Sequence, residues 1–276
     1  MDKYIKHFEN IKFLYGNDSY VQVPNSIFKS ISQISKNIKQ VSFAYSFMIV
    51  CAFMYKYAHF VDVNNNSYIQ SKDIKEILGY SKATKSIDKI IKKDGVLEQL
   101  NLIKTTKDYP VLFDYIDDEL NGVRMREFTT INSANKDSDF YKAISSTVKN
   151  KNYEIKYPSF IFDNDGNNGT LYQYDDTFRI NIDELLFFIF NKNIDNIDFL
   201  LYSFFKSKCY GLKNNKWSSS LDDIINETGI SKATFYEHLK KIKSLNLINV
   251  NHKQWVNKNV MVQDSEPNDY FFISNF

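Results

Sequence analysis

A six-residue signature, Gly-x-Ser-Lys-Ala-Thr, occurs twice in this chain of 276 residues. The copies begin at Gly79 and Gly229, and each is followed by the same four residues, Leu-Asn-Leu-Ile, from Leu100 and from Leu245. A short amphipathic segment precedes each copy, and a Lys-rich stretch follows it. A duplicated signature with matching flanks indicates two copies of one structural unit in tandem.

Each copy combines a short helix, a glycine turn, a serine suited to capping a helix N-terminus, and a basic helix. This combination is typical of a helix-turn-helix. The flanking segments also follow one order in both halves: extended segment, apolar helix, short strand, the signature with its helices, and a hairpin. We therefore predict an α+β fold, predominantly α, made of two tandem winged-helix domains at residues 1–135 and 136–276.

The second signature leads into a well-patterned helix from Ser231 to Asn246. Its apolar residues recur every three or four positions and predict a buried stripe of Phe235, Leu239, Ile242 and Leu245. His238 borders this stripe, and we interpret it as structural. In a helix-turn-helix the first turns of such a helix enter the major groove.

The residues off this stripe are therefore the candidate DNA contacts. Hydroxyl and ammonium groups suit phosphate, a small side chain such as Ala233 suits a thymine methyl, and Glu237 suits cytosine N4. The following wing adds two lysines. The full set of candidates in this half is Ser231, Lys232, Ala233, Thr234, Tyr236, Glu237, Lys240, Lys241, Lys253 and Lys258.

The first signature matches the second at all five fixed residues, but the apolar residues that follow it fall at different positions. The pattern predicts a helix from Ser81 to about Lys93, in which Lys85 and Lys89 occupy the positions of Phe235 and Leu239. Extra residues around Asp94-Gly95 also precede Leu-Asn-Leu-Ile. We expect this helix to be rotated or broken relative to its counterpart, and its candidate contacts are Ser81, Lys82, Thr84, Lys85 and Lys89.

Other elements are predicted from periodicity and turn chemistry. Asn25–Gln40 is expected to be a helix, and Val41–Phe60 a long apolar one. Asn121-Gly122 predicts a hairpin, the first wing, with an acidic patch on it. The segments 153–162 and 170–182 are predicted as two strands around a turn at 163–169.

Charge supports a nucleic-acid partner only locally. The net charge is +2, which excludes a histone-like protein, but residues 231–258 hold six Lys against one Glu. Residues 71–107 hold nine Lys against five acidic residues. The three arginines, Arg124, Arg126 and Arg179, lie outside both predicted recognition helices. Because Arg-guanine contacts are then missing from those helices, we expect an AT-rich DNA site or one read partly through shape.

Several function classes are disfavoured by what the sequence lacks. It contains no P-loop motif, no Cys-x-x-Cys and no convincing nucleophile-base pair, so we expect no enzyme activity, no metal and no cofactor. Cys51 and Cys209 are interpreted as core thiols. The uncharged run Val41–Tyr55 is shorter than the roughly 20 residues that a bilayer requires, so a buried helix in a cytoplasmic protein without membrane contact is expected.

Residues Ser19 to Ile103 resemble the N-terminal winged-helix domain of theta-type plasmid replication initiators of Gram-positive bacteria. The resemblance rests on four features: Tyr20-Val21-Gln22-Val23-Pro24 with Phe28, the aromatic-rich helix after Val41, Tyr68-Ile69 with the Lys-x-Ile-Lys-Glu-Ile-Leu run ending at Leu78, and Ser81-Lys82. It covers about a third of the chain. The resemblance implies an origin-binding protein that recruits or loads host replication proteins.

The leading hypothesis is a plasmid or mobile-element replication initiator that binds repeated half-sites in double-stranded DNA. A transcriptional regulator or DNA-binding accessory protein of the same element is the second. The third is a protein-interaction module built on winged helices, which the near-neutral charge and the acidic hairpin favour. Two long apolar helices are predicted, Val41–Phe60 and Ile194–Tyr210, and they are interpreted either as domain cores or as an interface, including that of a homodimer.

Overall fold

A computed structural model describes residues 2–16, 19–118, 123–162, 176–253, 267–273 and 276. The chain is about 47% helix and 20% strand, which confirms the α+β class. The helices are α1 (Asp2–Tyr15), α2 (Ile27–Ile31), α3 (Ile38–Lys56), α4 (Ser71–Ile77), α5 (Asp88–Ile91), α6 (Val96–Gln99), α7 (Asp139–Thr147), α8 (Ile182–Phe190), α9 (Asn196–Cys209), α10 (Leu221–Thr228) and α11 (Lys232–Ser244). The strands are β1 (Tyr20–Pro24), β2 (Val61–Asp62), β3 (Ser67–Tyr68), β4 (Lys104–Thr106), β5 (Pro110–Asp118), β6 (Val123–Thr130), β7 (Ile155–Tyr157), β8 (Thr177–Asn181), β9 (Lys216–Ser219), β10 (Ile248–Asn251) and β11 (Asn268–Phe272).

The strands form small antiparallel sheets, two of which join the halves of the chain. β1 pairs with β8 from Tyr20 opposite Asn181 to Pro24 opposite Thr177. β4 pairs with β7, and β9 and β10 flank β11 in a three-stranded sheet. The first two pairings cross the boundary predicted after residue 135, so the residues on its two sides share sheets.

Helices α3 and α9 pack against each other at the centre of the core. α3 is buried along almost its whole length because nearly every residue from Val41 to Tyr55 is apolar. Aromatic rings join the halves: Phe28 meets Phe204 edge-on at 5.3 Å between ring centroids. Within the described residues, α3 is the one helix long and apolar enough to cross a membrane, and 83% of its apolar window is buried inside the protein.

The helix predicted over Asn25–Gln40 is wrong, because the chain breaks between α2 and α3. α2 ends at Ile31, and the side chain of Asn37 caps α3 by accepting a hydrogen bond from the backbone N–H of Lys39 at 3.0 Å. Ser35 donates to the side chain of Gln40 at 2.7 Å. Polar side chains that bond to nearby backbone and side chains compete with a continuous helix, which explains the break.

The first predicted hairpin is confirmed by the pairing of β5 with β6, although its turn at Asn121-Gly122 lies outside the described residues. Arg126 on β6 is buried, stacks on Phe113 at 4.4 Å and donates to the carbonyl of Lys56 at 2.6 Å. The second predicted hairpin is wrong: β7 and β8 pair with β4 and β1 rather than with each other. The turn predicted at 163–169 lies outside the described chain.

Candidate nucleic-acid interface

The second signature forms a tight turn between α10 and α11. Gly229 adopts a left-handed conformation, with φ of 70°, that ends α10, as glycine does best. Ser231 then caps α11, because its hydroxyl accepts a hydrogen bond from the backbone N–H of Thr234 at 3.3 Å. The turn between α10 and α11 and the start of α11 therefore have local causes in Gly229 and Ser231.

The inner face of α11 is the apolar stripe that the sequence predicts. Phe235, Leu239 and Ile242 are at most 3% exposed, and Leu245 is half-buried at the end of the helix. Phe235 packs against Phe205 of α9 at 6.3 Å between ring centroids. This stripe determines which residues of α11 point outward.

A buried carboxylate of α9 also holds α11 in place. Asp198 is fully buried and accepts hydrogen bonds from Nδ1 of His238 and from Nζ of Lys241, both at 2.7 Å. Burial alone would raise the pKa of Asp198, but these bonds and the backbone N–H of Asp195 outweigh it and lower that pKa below its ordinary value. His238 is structural in this arrangement, as predicted.

Lys241 needs a correction as a candidate DNA contact. Its ammonium joins Asp198 at 2.7 Å and Asp195 at 3.6 Å, and these carboxylates raise its pKa against the opposing effect of burial. A lysine held by two carboxylates would have to give up these ion pairs to bind a phosphate. The structure places it as an anchor between α9 and α11.

The outer face of α11 carries the remaining candidates. Tyr236 is 46% exposed, and Thr234 is half-buried beside the cap. Within the described chain, neither Lys232 nor Lys240 forms an ion pair. The exposed candidates on this face are Ser231, Lys232, Ala233, Tyr236, Glu237 and Lys240.

The helix predicted from Ser81 to about Lys93 is broken, which is one of the two expected outcomes. Within these residues only the single turn α5 forms, and the single turn α6 follows at Val96–Gln99. Lys75 supplies the reason. Its buried ammonium donates to the carbonyl oxygens of Lys82 at 2.9 Å and Thr84 at 2.8 Å, and it pairs with Asp88 at 2.7 Å. A helix would need those carbonyls for its own hydrogen bonds, whereas the second copy has Ile225 at the matching position.

Lys82 is also held differently from Lys232, its counterpart in the signature. It pairs with Asp73 at 2.9 Å and Glu76 at 3.2 Å, and these carboxylates raise its pKa. The position of Glu76 is Asn226 in the second copy, so that partner is missing there. Of the other candidates in this copy, Ser81, Lys85 and Lys89 are exposed and Thr84 is half-buried, but they do not share the face of one helix.

Sequence reasoning missed a basic segment that precedes both signatures in the chain but lies beside them in the folded protein. The connection from α2 to α3 and the first turn of α3 lie beside both copies. Ser32 lies 4.0 Å from where a Cβ of Gly229 would be, and the hydroxyl of Tyr80 donates to the carbonyl of Lys39 at 3.3 Å. Lys36 on the connection and Lys39 in the first turn of α3 are both exposed. The polar run Ser35-Lys36-Asn37, which interrupts the apolar spacing, was the available signal.

Of the two wing candidates, Lys253 lies just beyond the end of β10, the strand that follows α11. β10 runs into an exposed Lys253, and β11 returns to pair with both β10 and β9. Lys258 lies outside the described residues. The charged candidates that the structure describes in this half thus lie on α11 and just beyond β10, the element that follows α11 in the chain.

A comparison of the chain with protein-family models, curated proteins and solved structures finds no match.

Proposed function

We propose that this protein binds double-stranded DNA through α11 and serves as a replication initiator of a plasmid or mobile element. The observation that carries the proposal is the division of α11 into two faces. One face is buried and anchored by Asp198, and the other presents Lys232, Ala233, Tyr236, Glu237 and Lys240 to solvent. A rigidly held helix with a basic and polar outer face suits insertion into the major groove.

The elements around α11 support a winged helix in this half. They run α9, β9, α10, α11, β10 and β11, and the sheet order is β10-β11-β9. In a winged helix the third helix is the recognition helix, and the strands after it form the wing. Under this proposal Lys253 and Lys258 contact the backbone or the minor groove.

The break in the helix predicted over residues 81–93 changes how the DNA site would be recognised, because only the single turn α5 forms there. A single chain offers one recognition helix rather than two, so we propose that two chains, as a homodimer or on adjacent repeats, read the two half-sites. The first signature, with Lys85, Lys89, Lys36 and Lys39, would then contact phosphates beside the groove. The initiator role itself rests on the resemblance of residues 19–103 and on this mode of binding repeated DNA.

The test is a pair of charge-matched double variants. Lys232→Glu with Lys240→Glu alters the outer face of α11, whereas Lys149→Glu with Lys151→Glu makes the same charge change on exposed residues near α7. Binding would be measured by anisotropy on duplexes selected from a random library and from the DNA flanking the gene. We expect the first variant to lose binding and the control to keep it, with log Kd of the wild type depending steeply on log salt.

The layout of the selected sites separates an initiator from a regulator. Spaced direct repeats beside an AT-rich region would support the initiator, and a single palindrome at a promoter would support the regulator. Equal binding by both double variants would contradict the assignment of α11.

One observation favours a protein-binding role for a different surface. On β5, Leu112 and Ile116 are 47% and 41% exposed and lie on the same face of the strand as the acidic Asp114. An acidic face with apolar side chains would repel phosphate and suits a basic protein partner, so we propose this hairpin as the contact for a host replication protein.

A further inference from the structure

Two of the four histidines in the chain meet although they lie far apart in sequence. His7 is on α1, and His59 follows the C-terminal end of α3. Their ring centroids are 4.5 Å apart, with an interplanar angle of 55°. His7 is 3% exposed, and His59 is half-buried. Sequence spacing gave no sign of this pair, because packing of α1 against the α3 end creates it.

The hydrogen bonds of the pair leave two imidazole lone pairs available. Nε2 of His7 bonds to the carbonyl oxygen of His59, which can only accept, so this nitrogen carries the proton. The lone pair of His7 is then on Nδ1. Nε2 of His59 is buried and has no hydrogen-bond partner within the described chain. Burial of a polar atom without a partner costs free energy, and a metal ion would remove that cost.

A carboxylate completes the cluster. Asp62 on β2 is 5% exposed, and one donor atom from each of His7, His59 and Asp62 lies within 4.8 Å of the other two. Asp62 is itself oriented by Asn65, whose side chain donates to it at 2.7 Å, and by Asn10 at 3.3 Å. Such outer partners, which hold a ligand in position, are typical of protein metal sites.

The cluster has access to solvent through a neighbouring cavity. This cavity has a volume of about 460 Å³, and His7 and Asp62 lie in its wall together with Tyr4 and Tyr68. An ion can therefore enter, and a water molecule can occupy a coordination position that the three side chains leave open.

We propose that His7, His59 and Asp62 bind a divalent transition-metal ion of the Zn²⁺ class. Two imidazoles favour Zn²⁺ over Mg²⁺ or Ca²⁺, which prefer oxygen ligands. Coordination at the usual distances of about 2.0–2.2 Å requires the three donor atoms to move closer together. The fourth ligand is water from the cavity.

This ion would fix α1 to the corner between α3 and β2. α1 also carries Tyr4, whose hydroxyl donates to Glu76 at 2.6 Å and to Asp73 at 3.0 Å, beside Lys82 of the first signature. The metal would thus stabilise the helix that supports this signature. It is independent of the DNA-binding proposal, which uses none of its ligands.

The test is calorimetric titration of untagged, chelator-treated full-length protein with Zn²⁺, repeated with Co²⁺ to read coordination from its visible absorption. The variants are His59→Gln and Asp62→Asn, and the control is His252→Gln, since His252 is exposed. We expect one Zn²⁺ per wild-type chain, binding at least about 10-fold weaker in either variant, and no change in the control. Zn²⁺ should also raise the Tm of the wild type more than that of Asp62→Asn.

The wild-type titration decides the matter even where a variant folds poorly, which circular dichroism would detect. No saturable one-to-one binding by the wild type would overturn the proposal. Wild-type affinity retained in a folded His59→Gln or Asp62→Asn variant would overturn it as well.

Discussion

At the scale of single residues, Asp198 makes the clearest energetic contribution to the candidate interface. The Asp198→Asn substitution keeps the shape of the side chain. It removes the negative charge of the carboxylate to which His238 and Lys241 donate hydrogen bonds. We expect a loss of about 2 kcal/mol in the free energy of unfolding near neutral pH, the range for hydrogen bonds to charged groups. Denaturant titration of the two proteins measures it.

The same substitution has a defined pH dependence. Because the folded-state pKa of Asp198 lies below its ordinary value of 3.8, its stabilisation is present above that value and is lost as pH falls through the folded-state pKa. The stability difference between wild type and Asp198→Asn should therefore shrink as pH is lowered below about 4. A constant difference down to the acid-unfolded range would contradict this account.

Lys36 and Lys39 provide a second prediction at this scale. If they contact phosphates between the signatures, the Lys36→Ala, Lys39→Ala double variant should bind DNA more weakly and lower the salt slope of log Kd by about 0.9 for each contact. Sequence preference should stay the same, since phosphate contacts do not read bases. Replacement of Lys149 and Lys151 by Ala is the matched control, and an equal effect there would indicate only a general charge effect.

At the scale of elements, one buried lysine accounts for the difference between the two signatures. Lys75→Met removes an ammonium that holds two carbonyls and Asp88, and it leaves those acceptors partly buried. We expect a loss of about 2–3 kcal/mol in unfolding free energy, against little change for Lys72→Met, which alters an exposed residue on the same helix. Thermal or denaturant unfolding would show it, and equal stabilities of the two variants would contradict the role given to Lys75.

Sequence reasoning succeeded where local chemistry decides the structure. Helix α10 and the capped start and buried stripe of α11 follow from Ser220, Gly229, Ser231 and the apolar spacing. It failed over residues 81–93 because the decisive group, Lys75, acts through the buried contacts of its ammonium and not through its own propensity. The two copies of the signature therefore adopt two conformations. The different apolar spacing and the extra residues at Asp94-Gly95 indicated a rotated or broken helix, but they did not reveal the contacts of Lys75.

Pairing between distant segments was equally hidden from the sequence. The strands at 155–157 and 177–181 lie where strands were predicted. They were expected to pair with each other, but they pair with β4 and β1 instead. A neighbouring pair of strands is the natural expectation from order along the chain. Burial of His7 beside His59 likewise depends on how α1 packs, which no periodicity encodes.

At the scale of the whole molecule, the shared sheets predict cooperative unfolding. Both tryptophans, Trp217 and Trp255, lie in residues 136–276, so their fluorescence reports on that half alone. Ile49 is fully buried in α3, and Ile49→Ala should cost about 2–5 kcal/mol. We expect the fluorescence midpoint in denaturant to fall together with the circular dichroism midpoint. An unchanged fluorescence midpoint would instead support two independent domains divided near residue 135.

The pairing of β1 with β8 also has a consequence during protein synthesis. β1 ends at Pro24, yet its partner strand ends at Asn181. The first strand therefore leaves the ribosome long before the segment that covers its hydrogen-bonding edge has been translated. At synthesis rates of about 5–20 residues per second, this edge waits for several seconds or longer. A nascent chain of this protein would expose a strand that can pair with neighbours, which makes it a natural client for chaperones on the ribosome.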